Sequence, residues 1–246
     1  SANDGERRIL GRRAGKSEVQ SVVSRAKKAG INNISLDVML GVPGQTKESL
    51  KSTLDFCISS GVPHLSCYIL KIEENTPFFR MRDKLPFPSD DDTADMYLFM
   101  CEYLEEHGIM QYEISNFAVP GFESRHNLKY WHDEEYLGIG ASAHSFLGGK
   151  RTYYPRDIEY FISGNERLTE GDGGDEEEFC MLALRLREGL TQERFYARFH
   201  HEIPQKMFES AKQYEKYGLC SCESGGISLT RRGFLLSNSV ISEIIL

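Results

Sequence analysis

In the N-terminal part of the chain, the hydrophobic positions switch between a helical period and a strand period. Helical spacing predicts helices over 17–30 and 46–58, and each range begins with a hydroxyl residue that can act as an N-cap. Alternation predicts a strand over 33–40, with Ile34, Leu36, Val38 and Leu40 on one face, and a further strand is predicted over 65–70. A strand, a helix and a second strand at this spacing make a right-handed crossover, so we expect parallel strands in an α/β fold.

The remaining pattern divides the chain into two predicted domains. A helix is predicted from Ser89 onward, followed by a region of mostly strand and loop. Glycines interleaved with acidic residues over 166–178 are typical of a linker, so we predict one domain over 1–165 and a second over 179–246. In the second domain, helices are followed by a hairpin around Ser224 and a last helix. That order is typical of a small winged-helix-like α+β domain.

Composition and charge narrow the class of protein. The chain of 246 residues carries a net charge of −8, with 40% hydrophobic and 27% charged residues, as in ordinary globular proteins. It contains no apolar run of the roughly 18 residues that a membrane span needs, and no signal-peptide pattern. From Glu170 onward, 13 acidic residues outnumber 9 basic ones, which argues against a DNA-reading domain. We therefore expect a cytoplasmic protein with no nucleic-acid partner and no integral membrane segment.

The six cysteines allow two interpretations. Several lie within apolar periodic segments, where a free cysteine behaves as a small hydrophobic residue. Cys220 and Cys222 lie on one face of a predicted strand, and such a pair is also suited to bind a metal or to form a redox couple. For this pair, both interpretations stay open at the level of the sequence.

Asp37 is a candidate site residue in the first predicted strand. Alternation places its side chain on the other face of the strand from Leu36, Val38 and the other aliphatic residues, which are expected to pack against helices. In an α/β barrel it would face the interior near the carboxyl end of the strand, where such barrels build their active sites. A solvated carboxylate, or a partner for a nearby arginine, is an equally good interpretation of the same pattern.

One run in the middle of the chain has the composition of a pocket wall. A short alternating strand over 112–118 is followed by a Pro-Gly turn and by a loop rich in histidine and aromatic residues. A segment of glycine, alanine and serine over 137–145 closes the run. So little side-chain bulk allows a second backbone or a flat ligand to approach closely.

Several motifs carry a resemblance to a known family: Leu10-Gly11-Arg12, Ile34-Ser35-Leu36-Asp37, the run from Tyr112 to Ala118, His126-Asn127-x-x-Tyr130, and the run from Gly138 to Ser145. Together they resemble the HemN/HemW group of radical S-adenosylmethionine (SAM) proteins. That group contains the oxygen-independent coproporphyrinogen III oxidases and the HemW-type haem chaperones. The last three motifs are more similar to the chaperone branch, in which the histidine motif is the proposed haem-binding motif.

The resemblance covers essentially the whole chain and implies a fold and a set of site residues. The expected fold is the later half of a (β/α) radical-SAM barrel with a haem or porphyrin site, followed by a HemN-type winged-helix-like domain. The residues implied to contact SAM are Arg12, Asp37, Lys71 and His144. The residues implied to bind haem are His126, Asn127 and Tyr130, with His126 as a candidate iron ligand. The apolar surface for the porphyrin is expected from Phe117, Phe122, Tyr130 and Trp131.

The resemblance also implies a cofactor whose ligands this chain lacks. In this group a Cys-x3-Cys-x2-Cys run holds a four-iron four-sulfur (4Fe–4S) cluster, which binds SAM and delivers the electron that cleaves it. No such run occurs among the six cysteines. We therefore expect a piece of a longer protein with no catalytic residues of its own. It should be inactive by itself, and its unpaired strand edges should either favour association with other copies or leave it only marginally stable.

Two functions are left open by the resemblance, and a pure binding module is a third, since this chain alone cannot assemble the cluster. The first is a haem chaperone that binds haem and delivers it to acceptor proteins. The alternative is an enzyme, an oxidoreductase of the coproporphyrinogen III dehydrogenase type. In that enzyme a SAM-derived radical removes hydrogen from propionate side chains, which lose carbon dioxide and become vinyl groups.

Overall fold

The structure is a computed structural model that describes residues 1–223 and 225–246. The described chain forms two compact units, Ser1–Glu123 and Ser124–Leu246. Ser224, at the predicted hairpin turn, lies outside the described residues. The domain limits predicted from the linker composition stay a prediction.

The first unit alternates helices and strands, as the periodic pattern predicts. Its helices are α1 (Asp4–Ile9), α2 (Lys16–Lys28), α3 (Lys47–Ser59), α4 (Pro77–Met81) and α5 (Asp90–Glu106). Its strands are β1 (Ser35–Leu40), β2 (His64–Ile69), β3 (Met110–Gln111) and β4 (Asn116–Ala118). The predicted ends differ from these bounds by a few residues, as is usual for element ends.

The four strands form one sheet in the order β1, β2, β4, β3. β1 and β2 are parallel, with Ser35 opposite His64 and Asp37 opposite Ser66, so the predicted crossover through α3 is confirmed. β4 runs antiparallel to both β2 and β3, and the short connection between β3 and β4 leaves no room for the crossover helix that a parallel pairing of these two strands would need. The α/β class is therefore confirmed.

The start of α2 differs from the prediction. Thr46 caps α3 as expected, but Ser17 does not cap α2, which begins after Gly15. The Glu18 carboxylate accepts the Gly15 backbone N–H at 3.0 Å instead. A carboxylate in the first turn satisfies that donor and also complements the helix dipole, so no serine cap is needed.

The core of the first unit lies on the helix side of the sheet. Apolar residues of β1, β2 and β4 meet the apolar stripes of α3 and α5. Buried members include Val38, Leu40, Leu50, Leu54, Leu65, Met100, Leu104 and Phe117. Each such side chain contributes roughly 1.5–3 kcal/mol by burial. This one-sided core leaves polar residues on the opposite face of β1.

The second unit contains two antiparallel three-stranded sheets and seven helices among its described residues. The helices are α6 (Arg125–Trp131), α7 (Ile158–Ile162), α8 (Glu176–Ala183), α9 (Gln192–Phe199), α10 (Gln205–Glu215), α11 (Arg231–Leu235) and α12 (Ser237–Ile245). One sheet has the order β5 (His144–Leu147), β6 (Lys150–Tyr153), β7 (Leu168–Asp172). The other has the order β8 (Leu190–Thr191), β10 (Gly226–Leu229), β9 (Cys220–Ser221).

Part of the stretch predicted as a linker is the strand β7. It pairs antiparallel with β6, and Thr169 lies opposite Thr152. The partner strand satisfies the backbone hydrogen bonds of this glycine-rich and acidic segment. That pairing is a tertiary effect, so the local composition did not reveal it.

The elements after α8 follow the order predicted for the winged-helix-like domain. β9 and β10 pair antiparallel, with Ser228 opposite Ser221. Thr230 caps α11 by accepting the Gly233 backbone N–H at 3.0 Å. Among the described residues, no helix is both long enough and apolar enough to cross a membrane.

Candidate functional site

Asp37 lies on the face of the first sheet that is opposite the core, as the alternation of β1 predicts. Its neighbours on this face are Ser35 on the same strand and Ser66, which is directly opposite on β2. Asp37 is exposed, so its carboxylate is open to a ligand. The interpretation as a site residue and the interpretation as a solvated carboxylate both fit this position.

A chain of hydrogen-bonded side chains lies beside Asp37 and was not predicted. The Ser35 hydroxyl is 2.7 Å from Nδ1 of His64, and Nε2 of His64 is 2.9 Å from the Tyr112 hydroxyl. His64 is buried, and this burial lowers its pKa, although the charge of Asp37 acts in the opposite direction. The imidazole is therefore neutral at pH 7. The alternation of His64 and Ser66 with apolar residues on β2 was the available sequence signal.

Arg12 and Lys71, the other residues of this unit that the resemblance assigns to SAM, are exposed. Arg12 lies in the turn after α1, where its backbone N–H donates to the Arg7 carbonyl at 2.8 Å. Lys71 follows β2 and forms an exposed ion pair with Glu73 at 3.0 Å. Within the described residues, no hydrogen bond or ion pair joins Arg12, Lys71 and Asp37 to one another. A guanidinium can pair with a carboxylate and a carboxylate with an amino group, and the assignment of these three residues to SAM stays a prediction.

His144 lies in the second unit, at the start of β5. Its ring stacks on Tyr153 of β6 with the centroids 5.4 Å apart, and Nδ1 is 3.2 Å from a carboxylate oxygen of Glu170. The side chain is half exposed. These contacts make His144 part of the surface of the β5–β6–β7 sheet, and its assignment to SAM stays a prediction.

His126 and Tyr130 share one face of α6. The Tyr130 hydroxyl lies 3.0 Å from Nε2 of His126, and the two rings meet edge to face with the centroids 5.1 Å apart. Ser124 caps the helix by accepting the Asn127 backbone N–H at 3.3 Å. His126 is exposed and Tyr130 is partly exposed. The pair therefore presents an imidazole and a phenol together, and each group is a suitable axial ligand for haem iron.

Asp133 follows α6, and its carboxylate is completely buried. Arg198 donates to one oxygen at 2.9 Å and Arg151 to the other at 3.2 Å, and Arg151 also pairs with Glu178 at 2.7 Å. Burial raises the pKa of Asp133 to about 6, although the two arginines act to lower it. Sequence reasoning missed this cluster, because its members come from separate elements and no spacing relates them.

Not all of the aromatic residues expected around the porphyrin are exposed enough to contact one. Phe117 is fully buried in the core of the first unit, so the expectation that it lines a porphyrin site was wrong. It lies on β4, which pairs with a strand on each side and has its residues buried. Phe122 is exposed. Trp131 is partly exposed, with the guanidinium of Arg185 6.0 Å from its ring.

The cysteines of this chain do not fit an iron–sulfur cluster. Five of the six are buried. Burial raises the pKa of Cys57 to about 11 and that of Cys180 to about 12, which disfavours the thiolate that binds iron. Cys222 is partly exposed, and burial raises its pKa as well. Throughout the described ranges, no group of three or more His, Cys, Asp or Glu side chains is arranged to hold a metal ion.

The C-terminal part of the chain matches a known family. Residues 176–236 match the family model of the HemN C-terminal domain. The matched region runs from α8 through α11, contains the β8–β10–β9 sheet and overlaps the region predicted to be winged-helix-like, 179–246.

Almost the whole chain is similar to HemW proteins. It is 34% identical to "Heme chaperone HemW" of Bacillus subtilis (strain 168) over 248 residues, covering 96% of this chain and 65% of the relative. A protein of the same name from Haemophilus influenzae (strain ATCC 51907 / DSM 11121 / KW20 / Rd) is 39% identical over 207 residues, covering 79% and 52%. The resemblance to the HemN/HemW group is thus confirmed. The chain spans 65% of the length of the Bacillus relative, and the same share of a HemW relative from Lactococcus lactis subsp. lactis (strain IL1403).

The fold is similar to that of a solved HemN structure. That structure, described as "Coproporphyrinogen III oxidase (HemN) from Escherichia coli is a Radical SAM enzyme", matches with a TM-score of 0.76. The match covers 98% of this chain and 61% of that chain, at 18% sequence identity. At this identity the likeness concerns the fold alone. The expected HemN-type α/β fold is confirmed.

Proposed function

We propose that this chain is part of a HemW-type haem chaperone, a protein that binds haem and passes it to acceptor proteins in the cytoplasm. The observation that carries the proposal is the pairing of His126 with Tyr130 on an exposed helix face. Identity of 34% and 39% to proteins named heme chaperone HemW supports it. In such a protein, haem is the cargo rather than a resident cofactor.

His126 is the iron ligand in this proposal through Nδ1, and Tyr130 orients the ring through its contact with Nε2. The two polar atoms lie 3.0 Å apart, so they cannot both bind one iron from the same side of the haem. A hydrogen-bond partner on the ring nitrogen that does not bind the metal fixes the direction of a ligating histidine. Asn127, in the first turn of α6, adds an amide that can hydrogen-bond a haem propionate.

We further propose that Arg12, Asp37, Lys71 and His144 contact SAM in the longer protein. Together with a 4Fe–4S cluster, bound SAM supplies radical chemistry. The cysteines of this chain do not fit that cluster, so in this proposal its ligands belong to residues outside these 246. We accordingly predict that the chain by itself does not cleave SAM.

A haem titration of a matched pair of variants tests the chaperone proposal. The variant His126→Ala should bind ferric haem about ten-fold more weakly or worse, since an axial ligand is lost. The control is His107→Ala, because His107 also lies four residues from a tyrosine, Tyr103, and contacts its ring. Its ring centroid is 4.5 Å from that of Tyr103, in the first unit. Equal affinity and an identical absorption spectrum for wild type and His126→Ala would contradict the proposal.

The alternative function is that of an oxygen-independent coproporphyrinogen III oxidase. The shared fold with the HemN structure favours it. An anaerobic assay of the longer protein with SAM and coproporphyrinogen III distinguishes the two. Formation of protoporphyrinogen supports the oxidase, whereas stoichiometric haem uptake without turnover supports the chaperone.

We also propose that copies of this chain associate through β1. In the described sheet β1 is an edge strand, since it pairs with β2 alone. An unpaired strand edge offers backbone groups to a second chain. Size-exclusion chromatography with light scattering would detect the association, and a monomer at every concentration tested would rule it out.

A further inference from the structure

Tyr136 lies behind the His126–Tyr130 pair. The rings of Tyr130 and Tyr136 meet edge to face, with the centroids 4.5 Å apart and an interplanar angle of 71°. Edge-to-face pairs at this distance are favourable and directional. Tyr136 therefore restricts the ring of Tyr130, whose hydroxyl lies 3.0 Å from Nε2 of His126.

The backbone of Tyr136 is held by a strand. Its N–H donates to the Phe146 carbonyl at 2.9 Å, and the Phe146 N–H donates back to the Tyr136 carbonyl at 3.0 Å. Phe146 is buried in β5, and the guanidinium of Arg151 lies 4.5 Å from its ring centroid. This reciprocal pair of bonds ties Tyr136 to the β5–β6–β7 sheet, so Tyr136 is a fixed surface against which Tyr130 rests.

The hydroxyl of Tyr136 has a charged neighbour. Nη1 of Arg151 donates to it at 3.4 Å, which is a long and weak bond. Nη2 of the same guanidinium is held by the buried Asp133 and by Glu178. Arg151 thus connects the side chain of Tyr136 to the carboxylate that follows α6, and the position of Arg151 is itself determined by buried charge.

We propose that Tyr136 is a positioning residue for the His126–Tyr130 pair, supported by its reciprocal backbone bonds with Phe146 of β5. This inference rests on the proposed haem site and adds a second layer of side chains behind it. Partners that orient a metal ligand typically change metal affinity by roughly 10–100-fold when they are removed. Tyr136 acts through Tyr130 and does not itself touch the iron.

Two substitutions separate the ring of Tyr136 from its hydroxyl. Tyr136→Leu removes the ring and should weaken ferric haem binding about ten-fold or more, with a changed absorption and electron paramagnetic resonance spectrum. Tyr136→Phe keeps the ring and should retain the wild-type spectrum and an affinity within about three-fold, because the bond it loses is weak. Tyr136→Met replaces Tyr136→Leu in this comparison if the latter does not fold.

The control is Phe161→Leu in the same unit. It removes an edge-to-face contact with Tyr154, whose ring centroid is 4.9 Å away. This variant should lower thermal stability to a similar extent but leave the haem affinity and spectrum at the wild-type values. A loss of haem binding as large as that of Tyr136→Leu would mean that general destabilisation explains both results, and the inference would fall.

A second measurement does not need haem. In nuclear magnetic resonance spectra of the haem-free protein, the ring nitrogens of His126 report the hydrogen bond at Nε2. Tyr136→Leu should shift these signals, and Phe161→Leu should not. Unshifted His126 signals in a folded Tyr136→Leu protein would overturn the inference. If His126→Ala binds haem as wild type does, the haem proposal fails. The comparison of the His126 signals in Tyr136→Leu and Phe161→Leu still decides whether Tyr136 positions the His126–Tyr130 pair.

Discussion

Arg198 donates a 2.9 Å hydrogen bond to Asp133, a carboxylate with no exposed side-chain surface. Arg151 donates to the other carboxylate oxygen at 3.2 Å. The two arginines join α9 and β6 to the residue that follows α6, next to the helix of the proposed haem site. A buried charge that loses a partner is costly, so this cluster has consequences for stability that can be measured.

Removal of Arg198 should destabilise the chain in a pH-dependent way. The variant Arg198→Met should lose about 2 kcal/mol of unfolding free energy near neutral pH, because the ionised Asp133 then keeps a single arginine. At about pH 5 the loss should be smaller, since Asp133 takes up a proton below its raised pKa. Urea denaturation at both pH values measures the difference.

The control for this prediction is Lys150→Met. Lys150 pairs with Asp172, and both side chains are largely exposed. An exposed pair contributes about 0.5 kcal/mol or less. An equal loss of stability in Lys150→Met and Arg198→Met would contradict a special role for the buried pair.

The raised pKa of Asp133 predicts a pH dependence of defined sign. Its pKa rises from 3.8 to about 6, mainly through burial. Between about pH 4 and pH 6 the folded chain therefore binds more protons than the unfolded chain, so this group stabilises the fold at low pH and the contribution is lost as the pH rises. Asp133→Asn should lack this slope, whereas Asp172→Asn should keep it. Parallel stability curves for wild type and Asp133→Asn would refute the assignment.

His64 should show the opposite sign. Burial lowers its pKa below the ordinary 6.5, so its contribution to stability is present above about pH 6.5 and is lost as the pH falls toward the folded pKa. A titration of the His64 ring by nuclear magnetic resonance gives the midpoint directly. Asp37→Asn should lower that midpoint further, because the charge of Asp37 raises the pKa of His64. Asp55→Asn, in α3, should leave it unchanged, and a midpoint above 6.5 would contradict the burial of the ring.

Phe117 and Phe122 lie close together in sequence but should respond differently to truncation. Phe117 is 0% exposed and Phe122 is 38% exposed. Phe117→Ala should lower the free energy of unfolding by about 3–5 kcal/mol, since it leaves a cavity in the core. Phe122→Ala should lower it by only about 0.5 kcal/mol. Thermal and urea unfolding of the two variants measure this. Equal costs would mean that Phe117 is not a core residue.

Local geometry explains which features were predictable. Alternation along a strand is set by the backbone, so it correctly placed Asp37 on the other face of β1 from Val38 and Leu40, which are buried. Spacing by four residues on a helix likewise brought His126 and Tyr130 together. Glycine-rich composition is a weaker signal: residues 168–172 form β7 because β6 supplies their hydrogen bonds, and a linker of the same composition would look identical in sequence.

By itself, the sequence determined the α/β class, the polar face of β1, the histidine–tyrosine pair on α6 and the family resemblance, since each depends on neighbours a few residues apart. Only the tertiary structure decided that Asp133 meets Arg151 and Arg198, and that Tyr136 backs Tyr130. The cluster of Asp133 with its two arginines joins residues that are distant in the chain, and the edge-to-face geometry of the two tyrosines is set by the pairing of Tyr136 with β5. Such contacts depend on how strands and helices pack against one another, and no period along the chain encodes that packing.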